Sequence, residues 1–117
     1  MMNENFFRTE FSESIFNYKY KHEGSETWDK LSETLIHDVC KDNISNEEKL
    51  ELIDIHTNMQ FIAGGRYLYY AGRPNKFFNN CYLLRSLEDS RQDWADLSWK
   101  AENCLMTGGG IGNCYDI

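Results

Sequence analysis

The sequence contains few of the features that define several large classes of protein. It has one proline, no Cys-x-x-Cys pair, and 12 basic residues against 19 acidic ones. No apolar run approaches the roughly 18 residues needed to cross a bilayer. The opening stretch MMNENFFRTEF also lacks the basic and apolar regions of a secretion signal. These absences predict a cytoplasmic protein that has no membrane partner.

The acidic balance bears on the kind of partner. A net charge of −7 argues against nucleic acid, because contact with a phosphate backbone needs clustered Lys and Arg. A local nucleotide pocket stays compatible with this charge, since a few backbone amides can hold a phosphate. Four widely separated cysteines in a chain without a secretion signal indicate reduced thiols. The three histidines have no ligand spacing with these cysteines, so no metal site is predicted.

The composition is nevertheless that of a folded chain. Its apolar content is 41% and its aromatic content 15%, and its length is that of one small domain. Residues 1–24 are aromatic and charged but weakly periodic, which is typical of an arm that packs onto something else. A helix with Ser25 or Thr27 as its N-cap is predicted next. Its apolar stripe contains Trp28, Leu31, Leu35, Ile36 and Val39.

A second helix is predicted from a capping box. Ser45 and Glu48 have the S-x-x-E spacing of that motif, and apolar residues continue the pattern at Leu50, Ile53 and Met59. Residues 63–76 then read AGGRYLYYAGRPNK, in which the paired glycines and the Gly-Arg-Pro-Asn sequence are typical of turns. The sequence therefore predicts a break in helical structure over this stretch.

The last third of the chain predicts one strand and one helix. FFNNCYLL (77–84) is rich in residues that favour strands, so a short buried strand is expected. A helix capped by Ser90 follows, with Asp93 in its first turn near the positive helix end. Its inner stripe contains Trp94, Leu97, Ala101, Cys104 and Leu105. Its solvated face is interpreted as Asp93, Asp96 and Glu102.

The chain then reads TGGGIG (107–112), which is predicted to be a loop. One strand cannot form a sheet by itself. The hydrogen-bond partners of the strand at 77–84 are therefore expected elsewhere, either in an oligomer or in a larger protein.

Two features of this region could carry chemistry. Cys81 is either a small apolar side chain or a working thiol, and Asn79 and Asn80 place amide donors and acceptors beside it. The glycines at 108–112 form either a helix C-cap with a tight turn or a place where backbone approaches a ligand or another backbone. No Lys-Ser/Thr pair follows these glycines, so a P-loop is not expected.

In chain order, GGR (64–66), NNC (79–81), a helix and GGGIG (108–112) resemble the N-terminal part of ribonucleotide reductases. The adenosylcobalamin-dependent (class II) group, with its phage-encoded members, is the most similar. The likeness covers roughly residues 6–113 and includes ETW (26–28) ahead of the first predicted helix. It implies an α+β fold, with a helical region at 1–62 that leads into the first strand and helix of a ten-stranded α/β barrel at 63–117.

The resemblance implies an activity and roles for individual residues. These enzymes convert ribonucleotides to deoxyribonucleotides by radical chemistry, with two cysteines as the reductant. Cys81 would be the first of these cysteines, and Asn80 would lie at the edge of the substrate. Glu88 and Asp89 lie where relatives place a loop that contacts a deoxynucleoside triphosphate effector. The substrate pocket would be lined by Gly109, Gly110 and Gly112.

Other parts of that catalytic system match no residue of this chain. In family members the radical-bearing cysteine, the partner of Cys81 and most of the cobalamin surface lie further along. The resemblance thus implies an N-terminal fragment, inactive alone, and a complementing polypeptide that binds most of the adenosylcobalamin. Relatives usually continue Gly-x-Asp/Asn-Tyr-Ser after the glycines, whereas Asn113 leads here to CYDI. A split gene, an intron or an intein beginning at Cys114 would each account for this departure.

Three alternatives remain open at the level of sequence. The first is a non-catalytic nucleotide-binding or interaction protein, which predicts a cooperatively melting monomer or symmetric oligomer. The second is a redox or metal module that uses Cys81 with Cys104, and it requires the two thiols within bonding distance. The third is a class I or class III reductase. The sequence does not distinguish a diphosphate substrate from a triphosphate.

Overall fold

A computed structural model describes residues 6–116, and about half of the chain is helical. The elements in chain order are α1 (Glu10–Ile15), α2 (Trp28–Cys40), α3 (Asn46–Thr57), α4 (Gly65–Tyr70), β1 (Cys81–Arg85), α5 (Arg91–Met106) and β2 (Gly110–Cys114). A π-helical turn, Phe16–Tyr20, continues α1. The predicted α+β class is confirmed, whereas a two-stranded sheet shows nothing of a ten-stranded barrel. Within residues 6–116, no helix is long and apolar enough to cross a membrane.

The chain divides between Lys76 and Phe77 into two compact units, called here the helical unit and the sheet unit. The sequence-based boundary between residues 62 and 63 falls earlier, just ahead of α4. In the structure α4 contacts α2 and the π-helical turn, so its residues belong to the helical unit.

The core of the helical unit contains Phe16, Trp28, Leu31, Leu35, Leu68 and Ala71. The predicted stripe of α2 is confirmed for its first four members, which are all buried, whereas Val39 is exposed. The N-cap position of α2 is Thr27, although the Thr27 side chain makes no capping hydrogen bond. Helical spacing therefore located the face of α2 that packs against the rest of the unit.

The aromatic segment before α2 is more regular than the sequence predicted. Some of its aromatic residues pack onto the helices of its own unit, with Phe16 buried and Phe6 and Phe7 half-buried against the core, whereas Phe11 and Tyr18 are exposed. The hydroxyl oxygen of Thr9 caps α1 by accepting from the amide of Ser12 at 3.1 Å. The π-helical turn departs from the 3.6-residue period, and a search for that period therefore finds only a weak signal. The prediction for residues 1–5 lies outside the described residues.

In α3 the predicted cap is confirmed and the predicted apolar side is corrected. The Ser45 hydroxyl accepts from the Glu48 amide, and the Glu48 carboxylate accepts from the Ser45 amide. Leu50, however, is 67% exposed, while Lys49 and His56 are buried. The burial of a histidine on this helix has a specific cause, which is its polar contacts with α2.

Both ring nitrogens of His56 are used in the core. The amide of Ala63 donates to Nε2 at 3.2 Å, so Nε2 carries no proton. Nδ1–H can then donate to the Ser32 hydroxyl oxygen at 2.7 Å, and that hydroxyl donates to the carbonyl of Trp28 at 2.9 Å. The His56 ring also stacks on Trp28, with the ring centroids 5.0 Å apart. Of these contacts, the one from the Ala63 amide requires neutral histidine, because a protonated Nε2 cannot accept a hydrogen bond, and burial lowers the pKa of His56 below its ordinary 6.5.

We expect the helical unit to lose stability as the pH falls below about 6.5. The folded-state pKa is the lower one, so the contribution of neutral His56 is complete above the unfolded pKa and is lost toward the folded pKa. The loss can reach about 1.4 kcal/mol per pH unit for one proton. Urea unfolding at pH 7.5, 6.0 and 5.5 measures it. His56→Gln should flatten the dependence, whereas a slope that only His37→Gln removes would contradict the assignment.

The stretch at 63–76 is partly helical, which corrects the prediction of a continuous break. Residues 65–70 form α4, with Gly64 at its N-cap position and Leu68 buried. Burial of Leu68 stabilises a helix whose two flanking glycine motifs had indicated turns. The turn predicted after this helix is confirmed, since Gly72 has a φ of +74°. A Cβ at Gly72 would lie 2.8 Å from Cγ2 of Thr34.

Asp38 of α2 stabilises this turn through two contacts. Its carboxylate accepts from the amide of Gly72 at 2.8 Å and pairs with the ammonium of Lys76. Partial burial raises the pKa of Asp38, but the hydrogen bond from Lys76 and that from Gly72 outweigh the burial and hold it below 3.8. The end of the helical unit is thereby tied to its central helix.

The sheet unit is a β-α-β arrangement. β1 and β2 are parallel and hydrogen-bonded to each other, and α5 joins them and contacts both. The expectation that β1 finds no partner in the chain was wrong, because part of the predicted glycine loop is β2. Glycine disfavours strands, so strand propensities did not predict β2. Gly108, at a φ of +80°, ends α5 and turns the chain into that strand.

The long helix α5 begins as predicted, with the Ser90 hydroxyl accepting from the Asp93 amide at 3.1 Å. Its predicted inner stripe is only partly correct. Leu97 and Ala101 are buried, whereas Trp94 and Leu105 are exposed. A two-stranded sheet is narrower than the stripe, so it covers only the central residues of that helix face.

Candidate thiol site

The structure brings the Asn-Asn-Cys sequence next to the glycines. Cys81 is the first residue of β1 and is in register with Gly110, the first residue of β2. The amide of Gly110 donates to the carbonyl of Asn80 at 2.8 Å. Because the two strands are parallel, both motifs lie at the amino ends of the strands. Residues 29 positions apart in the chain thus form one local surface.

The glycines of this surface differ in what they make room for. A Cβ on Gly109 would lie 2.6 Å from Cε2 of the Tyr82 ring, a distance that no side chain can adopt. A Cβ on Gly110 would lie 3.4 Å from Sγ of Cys81, and one on Gly112 would lie 3.6 Å from Leu83. Gly109 therefore packs against an aromatic ring, whereas Gly110 leaves open space beside the thiol.

The Cys81 side of the sheet is exposed, which corrects the prediction of a buried strand. Along β1, Cys81, Leu83 and Arg85 are exposed, and Tyr82 and Leu84 between them are half-buried. Helix α5 covers one face of a sheet whose strands are parallel, and such sheets are normally covered on both faces. The thiol of Cys81 is accordingly accessible to a molecule that approaches the open face.

The residues suggested for effector binding lie at the opposite end of the sheet. Glu88 and Asp89 follow the carboxyl end of β1, and both are exposed. The five residues of β1 span about 13 Å. The structure therefore does not bring Glu88 and Asp89 beside Cys81, and their loop forms a separate surface.

Asp93 shapes that loop, although the sequence suggested only a solvated helix face. Oδ2 of Asp93 accepts from the Ser86 hydroxyl at 2.6 Å and from the amides of Leu87 and Glu88 at 2.7 and 3.2 Å. The Ser86 hydrogen bond is the largest of the influences that hold the pKa of Asp93 below 3.8, followed by the amides of Glu88 and Leu87. A signal was present in the sequence, since Asp93 lies three residues after the capping Ser90, which is the last residue of SLEDS (86–90).

Replacing Asp93 with alanine should loosen the 86–89 loop without unfolding α5. The two amides would lose a charged acceptor, and we expect their hydrogen exchange to accelerate at least about tenfold. Exchange measured by NMR at Leu87 and Glu88 is the readout. The matched control is Asp96→Ala one turn later, where, within residues 6–116, the carboxylate accepts only from Gln92. Equal acceleration in both variants would show general fraying instead.

All four cysteines are free thiols, and Cys81 is the exposed one, while Cys40, Cys104 and Cys114 are half-buried. The Sγ of Cys114 lies 3.9 Å from the carbonyl oxygen of Asp116. In the described part of the chain, no three His, Cys, Asp or Glu side chains are grouped so that they could hold a metal ion. Cys81 is thus the most accessible thiol.

Comparison with known proteins identified no relative of this chain. No protein-family model, no curated protein and no solved structure matches the chain. A functional assignment therefore depends on the residues themselves and on their arrangement.

Proposed function

We propose that this chain is the N-terminal part of a class II ribonucleotide reductase and supplies one cysteine of the reducing pair. The observation that carries the proposal is the adjacency of the two motifs of the resemblance. Asn80 and Cys81 lie beside Gly109 and Gly110 at the start of neighbouring strands, joined by the bond from the Gly110 amide to the Asn80 carbonyl. The two motifs are therefore adjacent in the structure as well as ordered along the chain.

The surface around Cys81 suits a ribose as the reacting group. The thiol is exposed, and its neighbour in register is a glycine, so no side chain of β2 lies opposite Sγ to obstruct a sugar ring. The exposed amide of Asn80 offers a donor and an acceptor for hydroxyl groups at the edge of the same surface. This combination is compatible with a hydroxylated ligand beside the thiol.

The proposed chemistry balances with two thiols. Cys81 and a second cysteine on the complementing polypeptide give up two protons and two electrons and form a disulfide. The 2′-hydroxyl of the ribonucleotide leaves as water, and hydrogen takes its place. An external dithiol then reduces the disulfide by exchange. Asn80 would orient the sugar, and the 86–89 loop would meet a deoxynucleoside triphosphate effector.

Adenosylcobalamin, which would supply the radical, does not fit this chain alone. In the described residues, the sheet face that holds Cys81 offers only Leu83 and Arg85 as further exposed side chains of β1, too few to enclose a corrin. The complementing polypeptide would therefore bind most of the cofactor.

Reconstitution tests the proposal. The chain is co-expressed with a polypeptide that carries the remainder of a class II barrel, and ribonucleoside triphosphate reduction is measured with adenosylcobalamin and a dithiol. We expect deoxyribonucleotide only when both polypeptides are present. A mixture without turnover, although the two polypeptides co-purify, would contradict the proposal and favour the non-catalytic interaction protein.

A further inference from the structure

The outer edge of β1 is unpaired. The bonds from the Gly110 amide to the Asn80 carbonyl and from the Ser86 amide to the Cys114 carbonyl fix the phase of the parallel ladder. In that phase alternate residues of β1 bond to β2, and the N–H and C=O groups of Cys81, Leu83 and Arg85 point away from it. Across residues 6–116, no other backbone group pairs with these three.

Apart from the exposed charge of Arg85, the edge lacks several of the features by which proteins prevent strand addition. The strand Cys81–Arg85 contains no proline and no β-bulge, and its central residue is leucine, 84% exposed, rather than lysine. The free edge of β2 is a poorer template, because Gly110 and Gly112 disfavour an extended strand. An added strand would therefore bind to β1.

We propose that the partner at this edge is a second copy of the same chain, whose β1 pairs antiparallel with β1 about a two-fold axis at Leu83. Two such edges satisfy all the outward amides and carbonyls of one another, and the pairs joined by both hydrogen bonds have Cα atoms about 5.5 Å apart. The result is a four-stranded sheet in the order β2, β1, β1, β2.

The side chains fit this register. Leu83 lies opposite Leu83 of the second copy, so the most exposed apolar residue of the strand becomes half-covered. Cys81 lies opposite Arg85 of the second copy, and no two like charges face each other. A guanidinium then lies beside each Cys81 thiol, and the second copy contributes a residue to the thiol site. A two-fold contact of this kind is self-complementary and closes as a dimer.

The dimer goes beyond the proposed function, because it concerns the isolated chain. A complementing polypeptide that contributes a strand would compete for the same edge. Measuring self-association uses the chain alone and needs no reductase activity. Its failure is therefore distinguishable from failure of the reconstitution.

Introducing a charge at the two-fold axis tests the register. We expect the wild-type chain to sediment as a dimer, and Leu83→Lys or Leu83→Glu to weaken self-association about tenfold or more by placing like charges opposite each other. Mixing the two variants should restore a dimer, since lysine then faces glutamate. Only a contact between position 83 and its own copy gives this rescue. A monomeric wild-type chain, or variants that fail to recover on mixing, would overturn the proposal.

A cross-linking experiment supplies a second measurement, which does not depend on whether the charged variants fold. Leu83→Cys should form an intermolecular 83–83 disulfide under mild oxidation, because the Cα separation is within disulfide range. The matched control is Leu87→Cys, since Leu87 is 72% exposed but lies beyond the strand. Peptide mapping by mass spectrometry identifies the bond. Equal cross-linking at the two positions would indicate random collision and contradict the register.

Discussion

Replacing Cys81 with serine should reduce deoxyribonucleotide formation in the reconstituted system to background, a loss of at least about 1,000-fold. A serine hydroxyl has nearly the size of the thiol but cannot be oxidised to a disulfide, so the pair can no longer deliver its two electrons. The site should otherwise be intact, because Cys81 is exposed and makes no contact that folding requires. Product formation by chromatography is the measurement.

The control for that variant is Cys104→Ser. Cys104 is a half-buried free thiol near the end of α5, and the proposed reaction does not use it. Turnover should persist in Cys104→Ser and be absent in Cys81→Ser. Full activity of Cys81→Ser would remove Cys81 from the reducing pair. Loss of activity in both variants would instead favour a redox module that uses the two thiols together.

The largest effect on stability is expected at Trp28. Its side chain is 4% exposed and lies in the core of the helical unit, where it meets Phe16 edge-on and stacks on His56. The indole N–H donates to the carbonyl of Thr57 at 3.0 Å, so this one residue joins α2 to the end of α3. Trp28→Ala should lower the free energy of unfolding by about 3–5 kcal/mol.

Urea unfolding followed by far-ultraviolet circular dichroism measures this loss. The matched control is Trp99→Ala, because Trp99 is 66% exposed on α5 and should change stability by less than about 0.5 kcal/mol. Trp28→Phe separates the contribution of the indole N–H from that of the buried apolar area, since it keeps most of that area and removes the donor. Equal losses in Trp28→Ala and Trp99→Ala would contradict the burial that the structure gives.

The helices with strong local signals were predictable from the sequence. The stripe from Trp28 to Ile36, the capping box of Ser45 and Glu48, and the cap at Ser90 each express a rule that operates within two or three turns. The same rules did not indicate which side of α3 is buried. Burial of His56 depends on Ser32, and that residue is 24 positions away in the chain.

The candidate site was predictable in its residues but not in its geometry. The order of the motifs indicated Cys81, Asn80 and the glycines, and their adjacency required a second strand that glycine composition concealed. The role of Asp93 was missed for a similar reason. A carboxylate on a helix is normally a solvated group, and only the position of the 86–89 loop makes it an acceptor.

The parallel pairing of β1 with β2 has a consequence for synthesis of the chain. Residues paired in that sheet are far apart in order of translation, since 29 positions separate Cys81 from its partner Gly110. At the usual 5–20 residues per second, a ribosome needs about 1.5–6 s to make that interval. During this time β1 has no partner on either side, and α5 must form before the ends can close. The nascent chain is therefore most exposed to misassociation and most dependent on chaperones in these seconds.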